Sequence, residues 1–117
     1  MTEIKIAKTL KRMGVPANLQ GSSYLRYAIK IALENAEVLR MMTKTLYPAV
    51  ARHFDTTPTR VERSIRHAKE VAWSRGDVDF FREVFGHSVK VDGVPTNSEF
   101  ICGIVDWLEM SEMTDGE

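Results

Sequence analysis

The sequence predicts an all-α fold, a compact bundle of about six helices that contains a helix-turn-helix. Three observations carry this reading. Apolar residues recur at spacings of three and four along most of the chain, the period of a helix with one buried face. Proline, glycine, threonine and asparagine fall where those periodic segments break, as helix caps and stops do. Residues 50–68, VARHFDTTPTRVERSIRHA, hold two short helical patterns hinged on Asp55-Thr56-Thr57-Pro58. A chain of 117 residues suits one domain with a real core. Residues 1–110 are assigned to that helix-turn-helix domain, and residues 111–117 are expected to be a disordered acidic tail.

The first helix is expected over residues 2–13, where Ile4, Ile6, Ala7, Leu10 and Met13 are apolar and Gly14-Val15-Pro16 stops it. The next starts at Ser22 or Ser23 and runs to Glu34, with Leu25, Ala28, Ile29 and Ala32 turned inward. A third begins near Ala36 and carries Val38, Leu39, Met42 and Leu46. Pro48 lies inside that stretch and should kink it or start a fresh helix near Tyr47. Val50, Ala51 and Phe54 then form an apolar stripe at i, i+1 and i+4. Thr57 offers a side-chain oxygen to the free N–H groups of a new helix, and Pro58 suits its first position, where no donor is needed. That helix is expected over residues 58–74, ended by Gly76. A short helix over residues 77–85 follows, with Asp77 or Asp79 at its N-terminus. Residues 87–94 alternate as a brief extended piece turning at Asp92-Gly93. The last helix spans residues 97–110, capped by Asn97 or Thr96, with Phe100, Ile101, Ile104, Val105 and Leu108 facing the core.

Two helices at a steep angle, joined by a short turn, let one brace against a DNA backbone while the other enters the major groove. Along the second helix Val61, Ile65, Ala68 and Ala72 stack on one stripe that packs inward. Arg60, Arg63, Ser64 and His67 form a second stripe at i, i+3, i+4 and i+7, with Glu62 and Arg66 on the flanks. The guanidinium forks of Arg60 and Arg63 match the O6/N7 acceptors of guanine, and the Glu62 carboxylate can accept from cytosine N4. These three are the expected base contacts. Thr57, Thr59, Ser64, Arg66, His67, Lys69 and Lys44 are the expected backbone contacts, which position the helix without reading bases. A plainer reading competes: Glu62 and Arg66 stand at i and i+4, so the charges could form a surface ion-pair lattice.

Charge distribution favours the first reading. Net charge is zero, but residues 1–39 hold six Lys/Arg against three Asp/Glu, residues 40–75 eight against three, and residues 76–117 two against ten. The basic segment coincides with the helix-turn-helix. No apolar run approaches the ~20 residues of a membrane span, so no membrane association is expected. A single Cys102 gives no disulfide framework, which fits a cytoplasmic setting. His53, His67, His87 and Cys102 lack the paired spacings of zinc ligands, so no metal and no cofactor is expected. Neither a nucleophile elbow nor a phosphate-cradling glycine loop is present, and the chain does not read as an enzyme. Trp73 and Trp107 read as core or interface packing, and Cys102 as a core residue on an apolar helix face.

Seven ordered blocks over residues 14–101 also carry a resemblance. They are Gly14-Val15-Pro16-Ala17; Gly21 with Tyr24-Leu25-Arg26; Thr43-Lys44 with Leu46-Tyr47-Pro48; Arg60-Val61-Glu62-Arg63; Ile65-Arg66-His67-Ala68; Val71-Ala72-Trp73-Ser74-Arg75-Gly76; and Pro95-Thr96-Asn97-Ser98-Glu99-Phe100. Together they resemble the C-terminal effector domain of the stage-zero sporulation response regulator of spore-forming Firmicutes. The resemblance implies six helices and binding to short "0A box" elements similar to TGTCGAA. It implies base approach by Arg60, Glu62 and Arg63, and backbone proximity of Arg66 and His67. It also implies contact with the RNA polymerase sigma subunit from residues 74–85, with Ser74, Asp77, Phe80 and Phe85 as the expected contacts. The family couples this domain to an N-terminal phosphoacceptor receiver, and this chain begins at the effector domain. Asp92-Gly93-Val94 stands where the family commonly has lysines, an acidic tail where it has a basic one, and Phe80 and Phe81 where relatives often carry small polar residues. Two copies on adjacent DNA sites are expected, because one helix-turn-helix of this size rarely binds tightly alone. The rival reading is a protein-interaction module that has lost DNA binding and holds a regulator or polymerase subunit through its acidic third.

Overall fold

A computed structural model describes residues 3–86 and 93–115, with side chains to residue 113. Among the described residues there are six α-helices and no strand: α1 (Glu3–Met13), α2 (Gln20–Glu34), α3 (Tyr47–His53), α4 (Pro58–Arg75), α5 (Val78–Phe85) and α6 (Asn97–Asp115). A 3-10 turn (Ala36–Arg40) and a π-type turn (Met42–Leu46) join α2 to α3. The expected extended piece over residues 87–94 lies mostly outside the described residues.

The apolar stripes read from the sequence are the buried ones. α2 is the central helix, packed on α4, α1 and α6. Leu25, Ala28, Ile29 and Ala32 of α2 meet Val61, Ile65, Ala68 and Ala72 of α4 and Phe100, Ile101, Ile104 and Leu108 of α6 in one continuous core. Ile6, Leu10 and Met13 close it from the side of α1. At about 25 cal/mol per Å² of apolar surface withdrawn from water, this core is the main stabilising term.

Element ends follow local chemistry. Gly14 takes φ +96°, and the N–H groups of Gly14 and Val15 donate to the Lys11 and Leu10 carbonyls, 3.0 Å each, which stops α1 with its last carbonyls satisfied. α2 starts at Gln20, ahead of the expected serines, with the Ser22 N–H on the Leu19 carbonyl at 3.0 Å. The single helix expected after Ala36 is instead a tight 3-10 turn followed by a wide π-type turn. Pro48 bears on the second of these, since it has no N–H and its ring crowds the carbonyl four residues back. The wide turn before it relieves that crowding, with Leu46 N–H reaching the Met41 carbonyl at 3.2 Å. α3 then starts afresh at Tyr47.

α6 opens on a capping box. Thr96 N–H donates to Glu99 Oε1 at 2.8 Å, and Glu99 N–H donates to Thr96 Oγ1 at 3.1 Å. The cap is therefore Thr96, not Asn97. At its other end α6 runs to Asp115 rather than stopping at Met110. Residues 111–115, expected as disordered tail, are helical. Glutamate and methionine are good helix formers, and Lys5 Nζ donates to Glu112 Oε2 at 3.0 Å, tying this end of α6 to α1.

Candidate nucleic-acid interface

The expected helix-turn-helix corresponds to α3, a four-residue turn and α4. The end of α3 is a Schellman motif: Thr56 N–H donates to the Ala51 carbonyl at 2.9 Å and Asp55 N–H to the Arg52 carbonyl at 3.4 Å. Asp55 sits between them at φ +54°, left-handed backbone that a short polar residue tolerates better than a branched one. Thr57 then caps α4, its Oγ1 accepting from Arg60 N–H at 3.2 Å, and Pro58 occupies the first turn. These bonds, all made within a few residues, hold the segment between α3 and α4 in one local geometry.

α4 is clamped along one side. Val61, Ile65, Ala68 and Ala72 are fully buried. Gly21 of α2 lies against its back: a Cβ there would stand 2.1 Å from the Ser64 carbonyl oxygen and 2.8 Å from Ala68 Cβ. Only a glycine lets the two helices approach this closely. At the turn, Phe54 packs edge-on to Tyr24 and Tyr27, with ring centroids 5.1 and 5.9 Å apart, and His53 stacks on Tyr27 at 3.8 Å.

The opposite side carries the expected contact residues. Arg60, Arg63 and His67 are exposed, and Ser64 is half-buried between them. The Arg60 and Arg63 guanidinium groups have no hydrogen-bond or ion-pair partner among the described residues. Glu62 and Arg66 do pair, Oε1 to Nη1 at 3.4 Å, one turn apart. The i, i+4 ion pair weighed from the sequence is thus present, but it takes up the flanking charges and leaves the two forks of the central stripe open. An exposed pair of this kind is worth well under about 1 kcal/mol, so it is readily exchanged for another partner. Thr57, Thr59 and Lys44 are exposed; Thr57 spends its hydroxyl oxygen on the cap.

Two expected site residues, Lys69 and Phe80, are buried, and Phe85 is half-buried. Lys69, expected at the surface against phosphate, is only 6 % exposed. It follows Ile65 by four residues, so it falls on the edge of the buried stripe, and burial lowers its ammonium pKa. Phe80, expected as a polymerase contact, is 1 % exposed, with Arg12 stacked over its ring at 4.0 Å and Trp107 edge-on at 5.3 Å. Phe85 is half-buried, stacked near Phe81 and Phe100 at 6.0 and 5.8 Å. Both phenylalanines pack the α5–α6 seam. Ser74 and Asp77 are exposed, and Asp77 caps α5 by accepting from Asp79 and Phe80 N–H groups at 2.9 and 3.2 Å. Cys102 is half-buried rather than in the core, and Trp73 packs on Phe81 at 5.2 Å.

One residue bearing on the site was read only as a possible cap. Asn97 is buried, and its Nδ2 donates to the Tyr47 hydroxyl at 3.1 Å and to the Glu62 carbonyl at 3.3 Å. The pattern Thr-x-x-Glu at residues 96–99 held the clue, since a complete capping box leaves Asn97 free to turn inward.

Among the described residues no helix is long and apolar enough to cross a membrane. A model of the family "Sporulation initiation factor Spo0A C terminal" matches residues 6–108, from the middle of α1 to Leu108 of α6 and across the whole helix-turn-helix. The chain belongs to that family, the DNA-binding effector domains of the sporulation response regulator.

Proposed function

We propose that this chain is a sequence-specific regulator of transcription that reads a short 0A-box-like element with α4 in the major groove of double-stranded DNA. The observation that carries the reading is the pair of open guanidinium groups, Arg60 and Arg63, on the first turns of a helix whose other side is fully buried. A clamped helix spends little orientation entropy on docking, and two forks with no partner among the described residues offer bidentate donors to guanine edges. Glu62 takes the cytosine-facing role when its exposed pairing with Arg66 opens, and Arg66 then turns to phosphate. Thr57, Thr59, Ser64, His67 and Lys44 hold the backbone. Two copies occupy tandem sites. Any contact with the polymerase sigma subunit falls to Ser74 and Asp77, the exposed two of the four residues expected to make it.

The test is binding of the selected duplex and a scrambled one across salt concentrations. Affinity should fall by about 0.9 log units per tenfold salt for each phosphate neutralised, and Arg63→Ala should cost about 1–3 kcal/mol on the selected duplex only. Flat salt dependence with equal affinity for both duplexes would support the protein-interaction module instead.

A further inference from the structure

The Asn97 side chain joins three helices beside the turn of α4 that carries Arg60 and Arg63. It stands in the first turn of α6, donates to the hydroxyl of Tyr47 in the first turn of α3, and donates to the main-chain carbonyl of Glu62 near the start of α4. Glu62 lies between Arg60 and Arg63 in sequence, so the carbonyl that Asn97 holds belongs to the turn from which both forks project. The capping box, made by Thr96 and Glu99 alone, leaves the Asn97 amide for this task. Its Oδ1 has no hydrogen-bond partner among the described residues. A buried amide oxygen left unmatched is costly, so the two donations of Nδ2 must compensate for a penalty that an apolar residue would not incur.

We infer that Asn97 is a positioning residue for base reading: through the Glu62 carbonyl it sets the pose of the first turns of α4, and with them the guanidinium groups of Arg60 and Arg63. The inference rests on the proposed DNA reading. Core packing locates α4 through Val61, Ile65 and the close approach of Gly21 to the Ser64 carbonyl, none of which is a directional bond to the turn that carries Arg60 and Arg63. A directional hydrogen bond to one carbonyl fixes that turn, where bidentate geometry is needed.

Three variants test this. Asn97→Asp keeps the shape and suits a helix N-terminus; its carboxylate can keep the Tyr47 link only by reversing it, accepting from the hydroxyl that Asn97 Nδ2 donates to, and it cannot donate to the Glu62 carbonyl. Asn97→Ala removes both bonds without adding charge. Tyr47→Phe removes only the Tyr47 link. Each is used with wild type in selection from a randomised duplex library, then in titration against the selected and a scrambled duplex at one salt concentration. Urea unfolding is followed in parallel. The ratio of selected to scrambled affinity should fall about tenfold in both Asn97 variants, the equivalent of one weakened bidentate contact. Tyr47→Phe should hold the ratio within about twofold. A purely structural role would lower the unfolding midpoint and leave the ratio alone. If Asn97→Ala does not fold, Asn97→Asp decides. An unchanged ratio in Asn97→Asp overturns the inference, as does an equal loss in Tyr47→Phe, which would place the effect at α3. Wild-type protein that enriches no sequence overturns the DNA reading itself, and this inference with it.

Discussion

Gly21→Ala adds one methyl group at the closest approach of α2 to α4. The new Cβ would lie 2.1 Å from the Ser64 carbonyl oxygen and 2.8 Å from Ala68 Cβ, where ordinary contact begins at 3.4 Å. The obstacle is main chain inside a helix, which cannot rotate away, so α2 and α4 must separate by roughly an ångström along this seam. Overpacking of a tight core costs about 1–3 kcal/mol, and a backbone obstacle belongs at the upper end. Alanine recovers about 0.5–1 kcal/mol over glycine through helix propensity. The net loss is about 2 kcal/mol, a fall in Tm of roughly 10 °C for a domain of this size. Urea unfolding and calorimetry measure it. Ser64 lies between Arg63 and His67, so selected-duplex affinity should drop more than scrambled-duplex affinity. An unchanged or raised Tm would refute the seating of α2 on α4 described here.

Other outcomes follow from the same geometry. Asp55→Gly should leave stability within about 1 kcal/mol, while Asp55→Val should cost about 1–2 kcal/mol, because only the second strains the left-handed backbone at φ +54°; thermal unfolding of the pair checks this. Lys69→Met keeps the buried stem and removes a charge whose pKa burial lowers, so stability should be equal or higher and DNA affinity little changed. A uniform loss of affinity for all duplexes would restore Lys69 to the phosphate contacts. The Glu99 carboxyl is held below the ordinary carboxylate pKa by the Thr96 N–H and hydroxyl. A depressed folded pKa means stability present above the unfolded value, about 4.3, and lost as pH falls through the folded one. The difference in Tm between pH 7 and acid pH should therefore be larger in wild type than in Glu99→Gln, and equal differences would contradict it.

Much of this was legible because the helices obey one period. The stripes 25/28/29/32 and 61/65/68/72 are buried as their spacing requires, and Thr57-Pro58 and Gly76 mark the ends of α4. What the pattern missed has physical causes. The break at Pro48 and the fresh start at Tyr47 were expected, but the 3-10 and π-type geometry of the turns before them leaves no trace in hydrophobic spacing. Lys69 keeps helical phase with Ile65, and its charge suggested a surface that its position does not have. Phe80 faces inward under Arg12 and Trp107, partners brought from 68 residues before and 27 after, which no local window contains. The exposure of Arg60 and Arg63 followed from phase alone. The tie between Asn97 and the Glu62 carbonyl is a tertiary contact across 35 residues, and a cap motif was its only trace in the sequence.

The most direct measurement is a structure of this chain on the duplex it selects. The account predicts α4 in the major groove, with the guanidinium nitrogens of Arg60 and Arg63 about 2.7–3.2 Å from base-edge acceptors. A complex in which α4 stays outside the groove, or in which both arginines touch only phosphate or solvent, would contradict it.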